Sequence, residues 1–264
     1  MKKNITKLML VIILLGSIKS IYAEMSADEI AVKSQEVFFY QAADMKANVS
    51  MRLVNREGKE RQRKLIMLRK NLANREQKFF IYFEKPQDFR DMTFMVHKLP
   101  DKDDLRWLFI PALKMVRRIA SSDKHSSFVG SDFTYEDISG RDISLDNYKL
   151  LRKEKLNGID CFVIQSIPKE EDKFSRKLSW IDGEKFLPRK EEYYNSSDEL
   201  EKVFTAEEIK DIDGFPTIMK RIMKDVKTGN YTEVLYNNIK YNIGIGDDLF
   251  EERFMQNPQR RYLE

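Results

Sequence analysis

The residues able to do chemistry in this 264-residue chain are few and poorly spaced for it. Its soft metal ligands are His97, His125 and the single cysteine, Cys161; the histidines are not at metal-ligand spacing, and Cys161 is far from both. Ser121-Ser122-Asp123-Lys124-His125-Ser126-Ser127 holds every letter of a hydrolase triad. Triad members converge from separate elements, however, which neighbours on one short loop are badly placed to do. No G-x-S-x-G, H-E-x-x-H or P-loop occurs. The acidic clusters Asp101/Asp103/Asp104 and Glu170/Glu171/Asp172 each adjoin lysines and read as solvated turns. The chain is therefore expected to be neither an enzyme nor a metal or cofactor protein, with an envelope hydrolase as the weakest alternative.

The most distinctive stretch runs from Trp107 to Ile138. An aromatic strand enters Pro111, and a basic element follows with Lys114, Arg117 and Arg118. A polar loop then leads to Phe128, Gly130, Ser131, Asp132, Phe133, Tyr135, Glu136 and Asp137. These residues suit a lid. Gly130 lets the backbone bend, and Ser131 or Asp132 can cap a short helix. Phe128, Phe133 and Tyr135 supply apolar cover, while Asp132, Glu136 and Asp137 stay wet or pair with Arg117 and Arg118, which are also placed to meet head groups. The blander reading makes the aromatics ordinary core and the charges a structural ion-pair cluster.

The elements around this stretch are mostly strands. Ser26 to Tyr40 is the main helix, opened by Ser26 and Glu29 at capping-box spacing. Alternation then begins at Val49 and continues through 61–69, 78–84, 93–97 and 105–110. From Tyr148 onward a second run of strands is punctuated by Asn157-Gly158, Asp182-Gly183, Asn195–Asp198, Asp213-Gly214 and Thr228-Gly229-Asn230. The pattern predicts an antiparallel meander, and no linker or repeat divides 24–264, so one domain is expected. Phe79, Ile81 and Phe83 share one strand face and Phe80 and Tyr82 the other; Leu105, Trp107 and Phe109 likewise oppose Leu108 and Ile110. Both faces must then be covered, or one lines an apolar cavity. A sheet with a helix packed on one side and a curved sheet around a lipid-sized hollow both satisfy this. On strand parity, Phe79, Ile81, Phe83, Trp107, Phe109, Met115 and Trp180 are the candidate lining residues.

Residues 1–23 read as a secretory signal peptide. Lys2 and Lys3 precede the apolar run Leu8–Leu15, and Ala23 stands at the expected cut. No cysteine lies near it, so a lipid-anchored N-terminus is not expected, and the protein is placed in the periplasm. The net charge of +4 resides in the four lysines of that segment, leaving 24–264 formally neutral. Nucleic acid is thereby disfavoured as a partner. Cys161, in an apolar run, reads as a small buried hydrophobe.

The words WLFIPALKMVRRI and SFVGSDFTYEDI, with the later DGFPTIMKRIMKD, resemble the outer-membrane lipoprotein-sorting-protein family, a LolA-like branch that includes uncharacterised spirochaetal members. The resemblance implies a mainly β fold: a strongly curved antiparallel sheet forming an incomplete barrel, with helices on its concave side. It implies a monomeric carrier of the acyl chains of lipoproteins or lipids, working with an RND-type inner-membrane permease, and no catalytic residues. The chain is longer than the best-studied carrier, and the resemblance does not carry that carrier's cavity arginine over to a particular residue here. An interaction or envelope-sensing module with a filled core is the competing function.

Overall fold

The computed structural model describes residues 25–263; the segment read as a signal peptide lies outside them. Thirteen strands form one antiparallel, curved, open sheet, ordered β6-β5-β4-β3-β2-β1-β13-β12-β11-β10-β9-β8-β7. They are β1 (Asp44–Val54), β2 (Glu60–Asn71), β3 (Gln77–Lys85), β4 (Thr93–Lys98), β5 (Leu105–Ile110), β6 (Met115–Ile119), β7 (Asp146–Leu156), β8 (Ile159–Pro168), β9 (Arg176–Asp182), β10 (Pro188–Tyr194), β11 (Leu200–Ile212), β12 (Phe215–Asp225) and β13 (Tyr231–Tyr241). Two meanders are thus sewn together where β1 pairs with β13, and β6 and β7 are the free rims. Of the basic element read in the sequence, Arg117 and Arg118 lie on strand β6 and Lys114 in the turn before it.

Tight turns set the register of the second meander. Asn157-Gly158 and Asp213-Gly214 both have positive φ at each central residue, the backbone of the two-residue hairpin turn that twists with its strands. Bulges in β3, β7, β10, β11, β12 and β13 bend the strands they interrupt.

Helix α1 (Ala27–Phe39) begins with the capping box expected of Ser26 and Glu29 and buries Ile30 and Ala31 against the sheet near β7, β8 and β12. Residues 120–145 cross from rim β6 to rim β7 and carry the short helix α2 (Tyr135–Ser139). Thr134 caps α2, its side chain accepting from the Asp137 N–H while the Asp137 carboxylate accepts from the Thr134 N–H. The cap therefore falls later than Ser131 or Asp132, because the reciprocal Thr-x-x-Asp pair satisfies two orphan amides at once.

The two apolar faces of β3 have separate explanations. Phe79, Ile81 and Phe83 pack into the main core with Phe94, Phe128 and Phe133. Phe80 faces the other way, with Leu68, Met95 and Phe109, and is covered by Ile245, Leu249, Phe250, Met255 and Tyr262 of the C-terminal segment, which includes α3 (Glu252–Gln256). Asp44 starts this return: its buried carboxylate accepts the backbone N–H groups of Ile243, Gly244 and Ile245 at 2.7, 2.9 and 2.9 Å. Farther along, Thr93 donates to the Met255 carbonyl and His97 contacts the Phe250 carbonyl at 3.0 Å.

Candidate functional site

The buried apolar residues are concentrated on β1–β5, and the larger opening lies over the other half of the sheet. A cavity of about 340 Å³ sits over strands β7–β12, beneath α1 and the crossover. Its floor carries Tyr148, Ile164 and Ser166, then Lys177, Ser179 and Ile181, then Glu191 and Tyr193, and finally Lys202, Phe204, Arg221 and Met223. Its roof is made by Ala31, Phe38 and Phe39 of α1 and by Phe133, Glu136, Asp137 and Arg141 of the crossover. A second hollow of about 60 Å³ adjoins it, lined by Met45, Met67, Arg69, Phe79, Arg221 and Tyr236 among others.

The walls are amphipathic, and most charges in them are satisfied. Glu191 receives Lys177 at 2.9 Å, Ser179 at 3.0 Å and Tyr193 at 2.8 Å. Burial pushes the Glu191 carboxyl up, but the Lys177 charge and these hydrogen bonds outweigh it and hold the group below the usual carboxylate range. Asp137 shows the opposite balance: burial raises it despite Lys202 and the Thr134 cap.

A dense ion network fastens the crossover to rim β7. Arg141 lies 2.9 Å from Asp146, 2.7 Å from Asp172 and 3.4 Å from Glu136. His125 Nε2 stands 2.9 Å from Asp172, and Lys124 3.1 Å from Glu136. Burial raises the Asp172 carboxyl, but the His125 hydrogen bond and the Arg141 charge prevail and hold it well below its ordinary value. A carboxyl depressed by folding stabilises above its unfolded pKa, about 3.9, and loses that contribution as acid protonates it. The Asp172 contribution to stability against urea is therefore expected to be constant above about pH 5 and to be lost below about pH 4. Asp172→Asn should flatten part of that fall in midpoint-against-pH curves; an unchanged slope would remove Asp172 from the acid response.

Gly140 ends α2 at φ +79°, where a Cβ would meet the Phe39 ring at 2.9 Å. Its carbonyl accepts the buried Lys98 ammonium at 2.5 Å. Gly140→Ala should cost about 1–3 kcal/mol from the left-handed backbone and the forced shift of α1, measurable by chemical denaturation. A neutral result would mean that α1 is not fixed against the crossover.

A structure of an outer-membrane lipoprotein-sorting protein domain from Vibrio parahaemolyticus superposes with a TM-score of 0.82 at 28% identity, over 87% of this chain and 98% of that one. A DUF1329-family protein from Desulfovibrio piger gives 0.82 at 27% identity over the same shares, 87% and 98%. A LolA-superfamily protein, NE2245 from Nitrosomonas europaea, gives 0.69 at 20% identity over 88% and 100%, which speaks to the fold. No curated protein matches. A family model described only as uncharacterised-protein-like matches residues 75–257, well over half of the chain. The chain belongs to this LolA-like family.

Within this LolA-like fold the residues chosen by strand parity are not those of the larger cavity. Phe79 lines the small hollow, while Ile81 and Phe83 are fully buried in packed core. Trp107 and Phe109 face the opposite side, under the C-terminal segment, and Met115 is 46% exposed on the rim. Trp180 packs with Cys161 and Val163 away from the cavity, its indole N–H donating to Glu154. Parity separated the faces of each strand but could not say which half of the sheet stays open.

The lid residues divide similarly. Phe133 lines the roof, whereas Phe128 is core, with ring centroids 6.0 Å from Phe83 and 5.3 Å from Phe94; Tyr135 packs beside it at 5.7 Å. Asp132 accepts from Thr232, and Glu136 turns to Lys124 and Arg141. Arg117 and Arg118 are exposed on β6 and, among the described residues, pair with none of Asp132, Glu136 and Asp137, because the crossover carries those acids away from the rim. Sequence reasoning missed Lys177, Ser179, Glu191 and Tyr193. The signal was present: Lys177 faces Tyr193, and Ser179 faces Glu191, across one antiparallel pair.

Proposed function

We propose that this LolA-like protein is a periplasmic carrier that shelters the acyl chain of a lipoprotein or lipid in the cavity over β7–β12. The observation that carries the reading is the location of that hollow: it is the opening between sheet, α1 and crossover, and Phe38, Phe133, Phe204 and Met223 give it apolar walls. Its volume, about 340 Å³, falls within the roughly 300–1,000 Å³ of small-ligand sites. Hiding a dozen methylene groups from water would offset on the order of 10 kcal/mol, at about 0.8 kcal/mol each. Export through residues 1–23 and transfer to or from an RND-type permease complete the proposal; no catalytic step is required. Gentle extraction followed by native mass spectrometry should reveal co-purifying lipid, and the emptied protein should take up a fluorescent fatty acid. Repeated ligand-free preparations that also refuse the probe would overturn the carrier role.

One observation favours a second reading, an interaction module beside a permease. The β6 rim exposes Arg117 and Arg118 next to Leu113, 62% exposed, and Met115, 46% exposed. A pull-down yielding a stable permease but no lipid supports it, whereas charge reversal at Arg117 and Arg118 that leaves the partnership intact rejects this rim as the contact.

A further inference from the structure

One buried charge in the wall of the larger cavity has no hydrogen-bonded or ionic partner among the described residues. Arg221, on β12, is 5% exposed. Its guanidinium makes no hydrogen bond or ion pair among the described residues, and its Nε is buried without a partner. Aromatic rings surround it instead, with centroids 4.9 Å away at Phe133, 5.3 Å at Tyr236 and 5.9 Å at Phe38. The neighbouring charges are engaged elsewhere. Arg141 answers Asp146 and Asp172, Lys177 answers Glu191, Lys202 reaches the Asp132 carbonyl, and Lys173 is exposed to solvent. Of the two roof carboxylates, Asp137 is spent on capping α2 and Glu136 on Lys124 and Arg141. Arg221 borders both hollows, so an occupant of either meets it.

A buried cation without a counter-charge is costly to keep. Cation–π contacts recover part of that cost, but the planar fork of donors remains available for a carboxylate or phosphate. We propose that Arg221 is an anion anchor, and that the cavity takes a single-chain amphiphile with a carboxylate or phosphate head. The head pairs with the guanidinium while the chain lies against Phe38, Phe204 and Met223. This inference rests on the carrier reading and narrows its cargo: neutral lipids of equal length bind less well.

The test uses the purified full-length protein and an uncharged fluorescent alkyl probe displaced by palmitate, hexadecyl phosphate, hexadecanol or inorganic phosphate. The two anionic amphiphiles should outcompete hexadecanol by roughly ten- to a hundredfold, the range of a charge-assisted hydrogen bond. Arg221→Met should abolish that preference while retaining hexadecanol binding, and Arg221→Lys should keep most of it. Because Arg221→Met removes an unpaired buried charge, its melting temperature should not fall, and Arg221→Gln provides a second neutral variant. Equal binding of palmitate and hexadecanol to the wild type, or a preference that survives in both neutral variants, overturns the anchor and leaves the carrier standing. Inorganic phosphate raising the wild-type melting temperature as much as palmitate, and not that of Arg221→Met, would make the site one for a free anion and overturn the amphiphile assignment. Failure of the probe and of every chain-bearing ligand to bind removes the carrier reading and the anchor with it.

Discussion

Arg141→Met is expected to destabilise the protein by about 3–5 kcal/mol, the usual cost of stripping one partner from a buried ionic network. The side chain is 12% exposed and holds Asp146, at 2% exposure, together with Asp172 and Glu136. Burial alone would weaken the guanidinium's hold on its proton, but Asp146, Glu136 and Asp172 more than reverse this. Methionine preserves much of the volume, so the loss reports charge rather than a hole. For a chain of this size the melting temperature should drop by roughly 10 °C. Hydrogen exchange should quicken in 124–141, the stretch the network fastens. Adding Asp146→Leu to Arg141→Met should recover part of the loss, because a buried pair replaced as a unit by apolar groups is far better tolerated than a broken one. A change below about 1 kcal/mol would put these contacts in the class of solvated surface pairs.

Phe128→Ala is expected to cost a similar amount, about 3–5 kcal/mol, by a different route. The ring is 1% exposed and wedged between Phe83 and Phe94, so its removal leaves a void among fully buried aromatic side chains. The backbone cannot close over it easily: Phe128 N–H donates to the Phe133 carbonyl at 2.8 Å, and Ser131 N–H to the Phe128 carbonyl at 3.0 Å. Phe133→Ala should cost less, since that ring already borders open space, and should widen the larger cavity. Urea denaturation of the pair distinguishes the roles. Equal losses would show that Phe133 is as fully packed as Phe128.

The strand order was readable up to a point. Asn157-Gly158 and Asp213-Gly214 announced their hairpins because their backbone conformation suits few other residues. The pairing of β1 with β13 was not readable, since it joins residues such as Met51 and Val234 that no local turn relates. The family resemblance supplied the curved, helix-covered sheet. The cavity escaped for a chemical reason. Its floor carries Lys177, Ser179, Glu191 and Tyr193, which in a strand pattern look like a solvent face; they pair with one another across the register instead. Conversely, the apolar richness around Phe79 and Trp107 marks the half that is covered twice, by the crossover on one side and the C-terminal segment on the other. Apolar density pointed to packing, and mixed polarity to the opening.

The crossover has a mechanical consequence. It leaves one rim of the sheet at Ile119 and joins the opposite rim at Asp146, so it spans the concavity as a string spans a bow. A flap fixed at one end can swing aside freely; a cord tied at both cannot. Breaking the Arg141 contacts is therefore expected to let the two rims spread. Spin labels on β6 and β7 would register that spreading in Arg141→Met as a widening rim-to-rim distance.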